Sequence, residues 1–152
     1  MNEKRYSVVA LGTFDGVHLG HQEIINQLLK IANTENLKPI IVTFFPHPSH
    51  VLSPEQPLKL INSIEERVKL LKENGIESIY VQEFTKDFSN QSAKEFVENI
   101  LIKDLNMKTL IVGHDHKFGK NKEGDFNFLK NLGTEKKFNV IQIKPFYLQG
   151  YL

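Results

Sequence analysis

The chain contains no cysteine and no tryptophan, and among its 19 basic residues only Arg5 and Arg67 are arginines. Without cysteine there is no disulfide framework, no zinc–thiolate site and no cysteine nucleophile. With so little arginine, anion recognition by bidentate forks is restricted, because lysine is a flexible point charge and not a planar one. Arg5 precedes the first expected strand and Arg67 falls inside the second expected helix, so neither is expected at a ligand crevice. An excess of charge of one sign is also missing: 19 basic residues face 18 acidic ones, for a net charge of +1. No bulk field therefore draws the chain to nucleic acid or to a membrane surface. No apolar stretch approaches the roughly 20 residues of a membrane span, and the apolar run after Arg5 is too short for a leader peptide. A cytoplasmic location is the expectation that follows. Repeats, linkers and low-complexity tracts are lacking as well, and 152 residues, 40% of them apolar, suit one domain with a real core.

What is present is organised around Gly12-Thr13-Phe14-Asp15-Gly16-Val17-His18-Leu19-Gly20-His21. The apolar run Val8-Val9-Ala10-Leu11 feeds into it, and an amphipathic segment with Ile24, Ile25, Leu28, Leu29 and Ala32 leaves it. Strand, glycine-rich turn and helix in that order bring backbone N–H groups and a helix N-terminus to an anion. Glycines at 12, 16 and 20 let the backbone turn tightly and approach a ligand closely. His18 and His21, three apart at the helix start, project to the same side and are suited to hold a polyphosphate and offset charge developing on it. The spacing matches neither a Walker A loop nor the Gly-x-Gly-x-x-Gly fingerprint. A glycine turn carrying two solvated histidines is the plain alternative. Asp15 is suited to orient His18 or to cap the turn.

Strand and helix alternate through the rest of the chain. Strands are expected over Tyr6–Leu11, Pro39–Phe44, Ile79–Val81, Thr109–Val112 and Val140–Ile143. Helices are expected from about Leu19 to Asn33, from Ser63 to Asn74-Gly75, after Ser92, and from Asp125 through Leu132. Ser63 with Glu66, and Ser92 with Glu95, have capping-box spacing. Such alternation predicts a single α/β domain, doubly wound, with a five-stranded, mostly parallel sheet in the order 3-2-1-4-5.

All six histidines, at 18, 21, 47, 50, 114 and 116, follow predicted strands one, two and four. In an open parallel sheet of that order these strands are neighbours, and their carboxyl ends border the crevice where ligands bind. His114-Asp115-His116 also alternates potential metal ligands, but no third and fourth ligand is evident and no metal-holding residue is assigned. Lys120-Asn121-Lys122-Glu123-Gly124-Asp125 reads as a solvated loop, or as one that supplies charge to a triphosphate.

Three stretches share a resemblance. Gly12 to Gln22 resembles the start of the nucleotidyltransferase module of prokaryotic bifunctional riboflavin kinase/FAD synthetases, in which a His-x-Gly-His core follows Phe-Asp-Gly-Val. Thr43-Phe44-Phe45-Pro46-His47-Pro48 resembles that family's Thr-Phe-x-Pro-His-Pro signature. Val112-Gly113-His114-Asp115-His116-Lys117-Phe118-Gly119 resembles its Val-Gly-x-Asp-Phe-x-Phe-Gly, with His116 in place of an aromatic and Lys117 where arginine is common.

The resemblance spans Ser7 to Gly150 and implies a Rossmann-like domain that transfers AMP from ATP to FMN, giving FAD and pyrophosphate. It implies that His18 and His21 act on the triphosphate, and that Gly12, Thr13, Phe14, Asp15 and Gly20 form the turn over the nucleotide. Asp115, Phe118 and Gly119 would complete the nucleotide site, Pro46, His47 and Pro48 would line the flavin side, and magnesium would bridge the phosphates. The partners expected are small molecules, ATP and FMN. The family continues into a Ser-Ser-Thr-x-x-Arg segment and a riboflavin kinase domain, neither of which occurs in residues 1–152. Two alternatives stay open: a binding module without turnover, and a nucleotidyltransferase for another phosphorylated acceptor.

Overall fold

The computed structural model describes residues 5–12, 19–45, 63–113 and 124–143, with the side chains of 19–21 excepted. Five strands form one sheet: β1 (Ser7–Leu11), β2 (Lys38–Phe45), β3 (Ser78–Glu83), β4 (Met107–Gly113) and β5 (Asn139–Ile143). Their order is β3-β2-β1-β4-β5, and every pairing is parallel. The expected topology is therefore observed, with the chain reversing its direction of travel across the sheet between β1 and β4.

The strands are apolar on both faces because both faces are covered. Val8, Ala10, Ile41 and Ile111 face α1 (Leu19–Glu35) and α2 (Ile64–Glu73), packing with Ile25, Leu28, Leu71 and Ile76. Val9, Leu11, Val42, Phe44, Leu110 and Val112 face the other helical layer, with Phe96, Val97, Leu101, Leu129 and Leu132. That layer holds α4 (Ala93–Phe96), which runs on into a π-helical segment (Val97–Asp104), and α5 (Phe126–Lys136). The wider turn shows in Leu105, whose N–H donates to the carbonyl of Ile100, five residues back, at 3.0 Å.

Local signals account for the helix starts. Ser63 Oγ accepts from Glu66 N–H and Ser92 Oγ from Glu95 N–H, both at 3.1 Å, and Asp125 Oδ1 accepts from Phe128 N–H at 2.9 Å. Each cap satisfies one of the otherwise orphaned donors of a first turn. At the other end, each helix of the βα units reverses into its next strand through one left-handed residue: Asn36 (φ 55°), Gly75 (φ 97°), Asn106 (φ 54°) and Lys137 (φ 65°).

Two expectations need correction. The last helix does not stop at Leu132 but continues through Gly133 to Lys136. Gly133 is there for space: a Cβ on it would lie 2.5 Å from the carbonyl oxygen of Phe138. The reversal is displaced to Lys137, and Phe138 N–H returns to the Gly133 carbonyl at 2.9 Å. A short helix, α3 (Lys86–Ser89), was not foreseen, although Thr85 caps it by accepting from Phe88 N–H at 2.9 Å. The remaining bounds differ from expectation by up to two residues, as where α1 extends to Glu35.

Candidate functional site

The sheet puts the carboxyl ends of β2, β1 and β4 side by side. Leu11 lies opposite both Val42 and Val112, so Gly12 and Gly113 leave the sheet next to each other, at the point where the strand order reverses. Gly12 is still tied to β2, its N–H donating to the Val42 carbonyl at 3.1 Å. Helix α1 begins at Leu19, so its N-terminal turn carries Gly20 and His21. Its next turn is against β4: a Cβ on Gly113 would meet Ile24 Cδ1 at 3.6 Å. The helix start, with its outward-facing N–H groups, thus belongs to the same corner as the ends of β1 and β4. In doubly wound sheets this reversal is where a crevice forms and ligands bind.

The end of β2 is braced from both faces. On one face, Phe44 joins a cluster with Phe84, Phe88 and Phe96, its ring centroid 6.2–6.3 Å from each of theirs. Phe88 stands edge-on to Phe84 at 5.6 Å and to Phe96 at 5.5 Å, arrangements favoured by the ring quadrupole. On the other face, the fully buried Arg67 of α2 donates through Nη1 to Thr43 Oγ1 and to the Phe44 carbonyl, both at 3.1 Å. Arg67 lies inside the second helix, as expected, and its guanidinium is buried against the end of β2. The signal that could have found it is spacing, since Arg67 lies four residues before the buried Leu71 and shares its inward face. Arg5 is at the opposite edge, as expected, donating to Asn36 Oδ1 and the Leu37 carbonyl at 3.3 Å each.

Beside this braced end lies an open cleft of about 440 Å³, lined by Phe45, Val81, Glu83, Phe84 and Thr85. Phe45 and Val81 are both 41% exposed there, and Phe84 N–H donates to the Phe45 carbonyl at 2.9 Å. It offers apolar surface at the end of β2 and β3, with a carboxylate and a hydroxyl at its margin. Composition alone did not single out these residues, because an exposed Phe or Val is unremarkable until its neighbours in space are known.

Of the residues singled out in the sequence, the structure brings together Gly12, Gly20 and His21 by their backbone positions. Thr13, Phe14, Asp15, His18, Pro46, His47, Pro48, Asp115, Phe118 and Gly119 lie outside the described residues, as do His50, His114 and His116. Three strand ends feed the segments that carry them, and those ends are adjacent.

The strand order and the parallel pairing define a doubly wound α/β domain with its switch point between β1 and β4. Comparison with known proteins narrows this. The family model described as FAD synthetase matches residues 1–151, and the chain belongs to that family. It is 38% identical over 93% of its length to the bifunctional riboflavin kinase/FMN adenylyltransferase of Buchnera aphidicola subsp. Acyrthosiphon pisum, of which it covers 45%. It is 40% identical over 80% of its length to the protein of that name in Bacillus subtilis, covering 39% of it. The Escherichia coli K12 protein of that name is 30% identical over 91% of the chain, with 44% of its own length covered. The chain therefore spans less than half the length of these relatives. A crystal structure from Streptococcus pneumoniae, described as a macrolide-efflux protein, superposes with a TM-score of 0.82 at 32% identity, over 99% of this chain and 48% of that one. No helix among the described residues is long and apolar enough to cross a membrane.

Proposed function

We propose that this chain forms an FMN adenylyltransferase domain, which joins ATP and FMN to give FAD and pyrophosphate. The observation that carries the reading is the adjacency of the β2, β1 and β4 carboxyl ends, with α1 starting beside the last two. Family membership supplies the substrates. In the reaction an FMN phosphate oxygen attacks the α-phosphorus of ATP in line. A new P–O bond forms as the bond to the bridging oxygen breaks, and pyrophosphate leaves with that electron pair. No covalent nucleophile is required of the protein, whose work is to position two anions and to neutralise developing charge.

In this reading His18 and His21, at the start of α1, hold the triphosphate and the charge that builds up as pyrophosphate departs. The turn from Gly12 through Thr13, Phe14 and Asp15 to Gly20 lies against the nucleotide, with N–H groups of the helix start directed at phosphate. Asp115, Phe118 and Gly119, after β4, complete the nucleotide side. Pro46, His47 and Pro48, after β2, line the flavin side. Magnesium bound to the triphosphate supplies further charge neutralisation; among the described residues no group of three or more His, Asp or Glu is placed to hold a metal ion.

The test is to incubate the protein, at its full natural length, with ATP, magnesium and FMN. FAD and pyrophosphate should appear in equal amounts. Binding of both substrates without FAD would make this a binding module. Adenylylation of a different phosphorylated acceptor, with FMN neither bound nor consumed, would assign another nucleotidyltransferase activity.

A further inference from the structure

Strand β2 uses alternate carbonyls on its two sides. The Val42 carbonyl points to β1 and takes Gly12 N–H, while the Phe45 carbonyl points to β3 and takes Phe84 N–H. Phe44, two residues beyond Val42, has its carbonyl on the β1 side by the same alternation. Strand β1 ends at Leu11, and the last bond on that side among the described residues is the one from Gly12 N–H to Val42. The donor that reaches the Phe44 carbonyl is Arg67 Nη1, which also holds Thr43 Oγ1. The guanidinium thus donates to the β1-side edge of β2 two residues beyond the Gly12–Val42 bond.

We propose that Arg67 is a positioning residue for adenylyl transfer: it locks the end of β2 beside the Gly12 turn and so fixes the acceptor side of the crevice relative to the nucleotide side. The inference rests on the adenylyltransferase reading above. Stability is also involved, because a side chain lacking this donor removes a hydrogen bond from both Thr43 Oγ1 and the Phe44 carbonyl. A planar fork on a helix fixes the direction of a strand end, which a lysine does not do. The Phe44 ring is held on the opposite face by Phe84, Phe88 and Phe96. Thr43, Phe44 and the backbone between them are therefore clamped between a cation and an aromatic cluster, immediately before the segment assigned to the flavin. An error of about 1 Å in the relative placement of two reactants can cost about 100-fold in rate.

The experiment compares Arg67→Met, Arg67→Lys and Thr43→Val with the wild type in the full-length protein. Three quantities are read: single-turnover FAD formation at saturating ATP, magnesium and FMN; the two substrate Kd values; and the Tm. Both Arg67 variants should slow the saturated step about 100-fold. Thr43→Val, which is nearly isosteric and leaves the Phe44 contact in place, should slow it about tenfold, or about 1.4 kcal/mol. Substrate Kd values should stay within about threefold of wild type, since neither side chain is assigned to a substrate. Wild-type rates in Thr43→Val or in a folded Arg67 variant would overturn the proposal. So would weakened binding with an unchanged saturated rate. If neither Arg67 variant folds, Thr43→Val decides alone. A wild-type protein that makes no FAD would instead refute the adenylyltransferase reading.

Discussion

Replacing Gly133 by alanine sets two effects of known sign against each other. Gly133 lies in the last turn of α5, where alanine is intrinsically favoured by about 1 kcal/mol. The added Cβ, however, would stand 2.5 Å from the Phe138 carbonyl oxygen. That is about 0.8 Å inside an ordinary carbon–oxygen approach of about 3.3 Å. The obstacle is backbone, so no side chain can swing aside, and the same residue is held by the 2.9 Å bond from Phe138 N–H to the Gly133 carbonyl. Relieving the overlap means moving the entry to β5, with Phe138 withdrawn from the core. Overpacking of this kind costs up to about 3 kcal/mol; less the helix gain, about 2 kcal/mol remains. For a chain of this size that lowers Tm by about 4–8 °C. Thermal unfolding of Gly133→Ala measures it directly. ATP affinity should not change, because this helix end lies at the amino edge of the sheet, away from Gly12 and Gly113. An unchanged or raised Tm would show that the helix end relaxes freely and that Gly133 is not there for space.

Leu71→Ala removes a fully buried side chain between α2 and the sheet and should cost about 2–5 kcal/mol in urea unfolding. His21→Ala should weaken calorimetric binding of ATP with magnesium and remove about 2.7–4 kcal/mol of transition-state stabilisation; an unchanged rate would take His21 out of the mechanism. Lys136 Nζ lies 2.7 Å from Glu98 Oε2, and this hydrogen bond holds the Glu98 carboxyl below its ordinary range and the Lys136 ammonium above its own. A lowered carboxyl pKa contributes stability that is present above the unfolded value and lost as pH falls through the folded one. The small Tm difference between wild type and Glu98→Gln should therefore be present near about pH 7 and diminish as pH falls below the ordinary carboxylate range, and it should shrink with added salt; a difference that grew on acidification would contradict this.

The order of the strands was legible because it follows from few constraints. Five apolar runs separated by helix-period segments leave little choice once crossovers must be right-handed and buried on both faces. Helix starts were legible because Ser63, Ser92 and Asp125 carry caps in their own side chains. Helix ends were harder: of the four reversing residues only Gly75 is a glycine, while Asn36, Asn106 and Lys137 adopt left-handed backbone where sequence gives a weaker signal. The last helix runs on through Gly133, which a close contact across the chain and not a turn requires. The bonds from Arg67 to Thr43 and the Phe44 carbonyl were not legible, because its place in a helix says nothing about how far its side chain reaches. The aromatic cluster behind Phe44 was invisible for a similar reason, being assembled from β2, α3, α4 and the residue after β3.

Adjacency at the carboxyl edge brings together the segments that follow β2, β1 and β4 where they leave the sheet. Neighbouring strands lie about 4.8 Å apart, so the ends of β2 and β4 are separated by roughly 10 Å with β1 between them. That spacing is set by backbone hydrogen bonds and by cores packed on both faces, and not by the side chains that would meet a ligand. A substrate held after β2 and another held after β1 and β4 would thus be registered by the sheet itself. What the sheet cannot set is the direction of each strand after its last ladder bond. At β1 that task falls to Gly12, still bonded to Val42; at β4 to Gly113, close against Ile24 of α1. At β2 a side chain from another element takes part, the buried Arg67 of α2 holding Thr43 Oγ1 and the Phe44 carbonyl.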